Sequence, residues 1–187
     1  SSLAAVQIAG AADAQIAHCT SGPLTINGGA TNAVVEHNTI AGVALGSGGA
    51  TSLMLRDNMI TATVSLANAS SGSILQNRIN ATGTGLIVAV TFTGVISDND
   101  ITGTTIGVAY NAAATLSGNR IFSSGTGVSS TVSGSNGIGF VGTSNPNHIY
   151  SNTTGVALTG ASVQNQHIYS NTTGVSGSGT LGGATLD

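Results

Sequence analysis

Apolar and polar residues alternate along this chain in short runs, each closed by Gly, Asn, Ser or Thr, and the pattern then begins again. Period-two runs bounded by such corners predict short β-strands, and no stripe with helical spacing persists, so helix content is expected to be very low. One frame organises the repetition: an apolar residue, two variable positions, Asn, one variable position, and a second apolar residue. It occupies Val35 to Ile40, Leu55 to Ile60, Ile74 to Ile79, Ile96 to Ile101 and Leu116 to Ile121. The anchors Asn38, Asn58, Asn77, Asn99 and Asn119 are separated by 20, 19, 22 and 20 residues. Stepping back by 19 lands on Cys19, and the near-duplicate segments beginning at Asn147 and Gln166 are again offset by 19. A last weak copy runs from Leu181 to Leu186.

A second alternating segment follows each frame, as in Gly42 to Leu45, Gly85 to Val88, Gly107 to Tyr110 and Gly155-Val156. A unit of this length cannot bury its apolar face alone. Stacked at about 4.8 Å per coil, however, successive units line up like residues into a continuous interior. Val35, Leu55, Ile74, Ile96 and Leu116 should form one inner row, and Ile40, Ile60, Ile79, Ile101 and Ile121 another. The Asn between the rows is expected to make the bend itself, since Asn tolerates the left-handed region, and to bond its counterparts above and below. Cys19 and Gln166 fall in the same column near its ends.

These residues resemble the right-handed parallel β-helix proteins of the pectin-lyase-like superfamily, with their asparagine ladder and coils of about this length. The resemblance covers most of the chain, from about Ala14 to Leu186. It implies an all-β, single-stranded right-handed parallel β-helix with coils of roughly 19 to 22 residues, a hand that also follows from the preference for right-handed parallel crossovers. One domain is expected over residues 1–187, with an irregular start at 1–13 and a loop excursion at about 131–146. The excursion is read from the 28-residue interval between Asn119 and Asn147. The resemblance says little about function, because the fold carries lyases, glycosidases, epimerases, tailspikes, adhesins and fibrous proteins.

Composition narrows the classes. The 187 residues include three basic and six acidic ones, with 28 glycines and a net charge of -3. Exposed faces must therefore be made largely of Ser, Thr, Asn and Gly, or be covered by partners. So few basic residues argue against nucleic acid as a partner. No apolar run approaches the roughly 18 residues of a membrane span, so no membrane insertion is expected. A single cysteine makes no intramolecular disulfide. The Asn-x-Ser/Thr sequences at Asn68, Asn80, Asn152 and Asn171 are expected by chance in a chain of this composition.

Placing the charges on the repeat turns columns into spatial neighbours. Glu36 and Arg56 fall on adjacent coils, as do His37 and Asp57, while Arg78, Asp100 and Arg120 occupy three consecutive coils in one column with His148 and His167 beyond them. Arg78, Asp98, Asp100 and Arg120 are the catalytic candidates, in the manner of a polysaccharide lyase or glycosidase. The favoured reading is instead a ladder of alternating ion pairs that pins coil register. His148 and His167 lack a third ligand, so no metal and no cofactor are expected. Phe122, Tyr150 and Tyr169, each three residues past its anchor, should stack as an outward strip that, with the two histidines, forms the candidate binding surface. The Thr-rich segments do not keep one column, which disfavours an ice-binding array.

The resulting expectation is a non-enzymatic extracellular or cell-surface β-solenoid, either a module of a bacterial surface protein or adhesin or a self-assembling fibre subunit. Its expected partners are other copies stacked end to end or neighbouring domains of a larger surface protein. The alternative is a carbohydrate-active enzyme, of the lyase or epimerase kind, or a carbohydrate-binding β-helix, with polysaccharide as ligand.

Overall fold

The computed structural model describes residues 2–112, 114–131 and 145–187. These residues form a parallel β-solenoid of about nine turns, and no helix occurs among them. Among the described residues no helix is therefore long and apolar enough to cross a membrane.

Three walls make up the coil. Among the described residues one wall is a ten-stranded sheet from Ser2–Leu3 to Thr185–Leu186, and a second is a nine-stranded sheet from Val6–Ala9 to Thr173–Gly182. The third is a six-stranded sheet from Gln15–Ala17 to Thr115–Ser117, and Ala30–Thr31 pairs with Ala50–Thr51 beside it. Both expected inner rows form in register: Leu55 lies between Val35 and Ile74, and Ile79 between Ile60 and Ile101. Every member of the two rows is buried. Tyr110 and Phe92 fill the same interior, and the Tyr110 hydroxyl donates to the Ala114 carbonyl. Burial raises the Tyr110 pKa well above the usual phenol range.

Two short strands lie within the segment 2–13. Ser2–Leu3 pairs with Thr20–Ser21 and Val6–Ala9 with Leu24–Asn27, because Val6 and Ile8 continue the inward apolar alternation although no Asn anchor precedes them. Most of the excursion expected at about 131–146, namely residues 132–144, lies outside the described residues. Asn145 is bonded to the solenoid, its carbonyl accepting from the Gly118 N–H at 3.0 Å.

The ladder is present with one correction. Asn99 Nδ2 donates to Asn119 Oδ1 at 2.9 Å, and Asn99 Oδ1 accepts from the Asn77 backbone N–H at 2.9 Å and from Asn77 Nδ2 at 3.0 Å. The same pattern runs from the Cys19 backbone N–H, which meets Asn38 Oδ1 at 2.9 Å, to Gln166, whose Oε1 accepts from Asn147. The bend, however, is not made by the Asn. Positive φ falls one residue earlier, at His18, His37, Asp57, Gln76, Asp98 and Gly118. That outward residue takes the turn, which leaves the Asn free to send its amide inward between neighbouring coils.

Candidate functional site

The most varied outer face belongs to the ten-stranded wall. Each inward Ile is flanked there by two outward positions, so one column carries Arg78, Asp100, Arg120, His148 and His167 in register, and the column two residues on carries Phe122, Tyr150 and Tyr169. The rings of Phe122 and Tyr150 stack at 5.2 Å and 10°, and those of Tyr150 and Tyr169 at 5.2 Å and 8°. His148 and His167 meet edge to face at 5.0 Å, with His148 also at the edge of Tyr169.

The expected alternation of ion pairs is only half realised. Asp100 pairs with Arg120, which grips it through both Nε and a terminal nitrogen. This fork occupies both carboxylate oxygens, so Arg78, equally in register with Asp100, forms no ion pair among the described residues. The hydrogen bond to Asp100 and its charge raise the Arg120 pKa further. Asp98 is met by the Asn145 amide at 3.3 Å rather than by a cation. Arg56 and Glu36 form the other pair, at 2.6 Å. Both pairs are solvent-facing, so each contributes at most about 1 kcal/mol.

All four catalytic candidates line one open groove of about 370 Å³ together with Gln76, Asn77 and Gly118. A second groove of about 300 Å³ lies across the Arg78 and Asp100 ridge, with Phe122, Asn80, Thr102, Thr104 and Ser123 on its walls. The first arrangement offers the Arg78 guanidinium, in no ion pair among the described residues, in the same groove as the Asp98 carboxylate, which the Asn145 amide meets. Such a surface can hydrogen-bond a polar ligand. Among the described residues no group of three or more His, Cys, Asp or Glu side chains is gathered as a metal centre.

One structural feature escaped the sequence reading. The Asn-x-Thr sequences at Asn152 and Asn171 are a second ladder: the Ser124 N–H donates to Asn152 Oδ1 at 3.0 Å and Asn152 Nδ2 to Asn171 Oδ1 at 3.0 Å. Ser124 extends it by accepting from the Gly103 N–H. The available signal was spacing, since Ser124, Asn152 and Asn171 each follow their anchor position by five residues.

The coils and their variable outer face thus define a parallel β-solenoid in which a repeating scaffold carries a non-repeating polar and aromatic strip. No family model, curated protein or solved structure matches the chain.

Proposed function

We propose that this chain is a non-enzymatic structural β-solenoid of an extracellular or cell-surface protein, within the pectin-lyase-like group of parallel β-helices, acting as a rigid spacer, adhesin module or fibre subunit. The observation that carries the reading is the side-chain ladder crossing coil after coil from Cys19 to Gln166. A side-chain bond at each rise, added to the backbone ladders, fixes spacing in the direction along which a rod bears load. About nine turns make a rod roughly 40 Å long. At the outermost described rungs Leu3, Leu181 and Leu186 are exposed. Such a surface fits another coil, from a neighbouring domain or a second copy. Sedimentation velocity combined with electron microscopy should find concentration-dependent end-to-end species. A monodisperse monomer over a wide concentration range would remove the fibre form of the proposal.

A second reading is favoured by one observation, the in-register stacking of Phe122, Tyr150 and Tyr169 beside the polar grooves. An outward aromatic strip of this kind suits the flat face of a sugar ring. If the chain binds polysaccharide, Tyr169→Ala should weaken glycan-array binding about tenfold, the worth of one aromatic contact. Equal binding by wild type and variant would place the ligand elsewhere.

A further inference from the structure

Two histidine pairs sit in register on adjacent coils, and their surroundings differ in charge. His148 and His167 follow Arg120 in one column, and Arg120 is already held by Asp100, so no uncompensated carboxylate stands beside this pair among the described residues. His18 and His37 occupy another column, at the corner just before the ladder, and the next residue in that column is Asp57. Asp57 forms no ion pair among the described residues, whereas nearby Glu36 is already held by Arg56. The field at His18 and His37 therefore favours a cation, whereas that at His148 and His167 has no such bias.

The geometry at His18 and His37 is also preset. His18 and His37 have φ of 55° and 54°, and the residues that follow them are tied together by the Cys19 N–H bond to Asn38 Oδ1. Their rings lie parallel, with centroids 5.2 Å apart and planes within 8°. Both side chains are exposed, so they can turn a nitrogen each toward a common point without moving the backbone. Cys19 belongs to the ladder column, and its thiol donates to the Ala17 carbonyl at 3.2 Å.

We propose that His18 and His37 form a two-imidazole site for a divalent transition-metal ion, Cu²⁺ before Ni²⁺ or Zn²⁺, with water completing the coordination and Asp57 supplying charge from the next coil. Imidazole pairs suit these ions, and among them the affinity order of a nitrogen site puts copper first. The metal would clip two coils at the start of the ladder, as the amide bonds do further along.

Calorimetric titration of the whole chain with Cu²⁺, paired with electron paramagnetic resonance, tests the site. One bound ion per chain with a two-nitrogen signature is expected. His18→Gln or His37→Gln should lower affinity at least about tenfold, since half of the protein ligands are lost. Asp57→Asn should lower it about two- to fivefold. His167→Gln should leave it unchanged. Gln is a fair replacement because Gln76 occupies the same corner with a φ of 54°. His37→Asn, also suited to that conformation, gives an independent variant should the first unfold. Unchanged affinity in the His18 and His37 variants, or a loss that follows His167 instead, would overturn the proposal.

Discussion

Replacing Asn99 by Leu is expected to cost about 2 to 4 kcal/mol of stability, although the two side chains are close in size. Asn99 is about 1% exposed and sits in mid-ladder. Its amide donates to Asn119 Oδ1 and to the carbonyls of Ile74 and Ser97, each at 2.9 Å, and its oxygen accepts twice from Asn77. Leucine removes all of these. The losses are unequal, because the Asn77 amide keeps the carbonyls of Leu55 and Leu75, and the Ser97 carbonyl keeps the N–H of Gln76. The Asn77 backbone N–H is left buried without an acceptor, and the Ile74 carbonyl loses its side-chain donor. A melting temperature lower by roughly 6 to 12 °C should follow for a chain of this length. Hydrogen exchange should quicken first at Asn77, where the stack is most readily parted into two cooperative blocks. Asn80→Ala is the control: Asn80 is exposed and accepts from the Thr102 hydroxyl at 3.0 Å, so its loss should change stability by less than about 1 kcal/mol. Equal melting of wild type and Asn99→Leu would show that the amide column does not hold the coils.

What the sequence disclosed, and what it hid, follows from the periodicity of each feature. The inner rows were legible because Val35, Leu55, Ile74, Ile96 and Leu116 recur at one phase, and burial constrains every member alike. The ladder was legible for the same reason. The position of the bend was not, because the residue that takes it faces outward and is free to be His, Asp, Gln or Gly. Only its backbone is shared. The partner of Asp100 was hidden by symmetry: register places it equally between Arg78 and Arg120, and only the orientation of the fork chooses Arg120. The second ladder was overlooked because Asn152 and Asn171 read as glycosylation sequences, yet Asn152 is about 4% exposed and its amide is engaged on both sides. The stacked aromatic strip, by contrast, followed directly from counting three residues past each anchor.

Gly94→Ala is expected to destabilise the chain by about 3 kcal/mol or more, with Gly72→Ala close behind. Neither residue looks special in sequence, where Gly72 stands among serines and Gly94 follows a threonine. Both lie inside strands, Ser70–Leu75 and Phe92–Ser97, and are paired with each other. Their φ angles are 151° and 138°, a backbone that side chains other than hydrogen rarely adopt. At these two rungs a Cβ would point along the stacking direction: at Gly94 it would lie 2.0 Å from the Gly72 carbonyl oxygen, and at Gly72 it would lie 2.1 Å from that of Leu53. The obstructing atoms are backbone, held on both sides by neighbouring strands, so relief requires the coils to part where Phe92, Ile74 and Ile96 close the core. Gly83 separates this cause from a general dislike of added bulk, because a Cβ there meets nothing within 4 Å. Gly83→Ala should therefore lie within about 0.5 kcal/mol of wild type in urea unfolding. If Gly94→Ala unfolded at the same urea concentration as Gly83→Ala, the close backbone approach would not be a constraint on the stack; a large gap between them would identify it as one of the tight points of the solenoid wall.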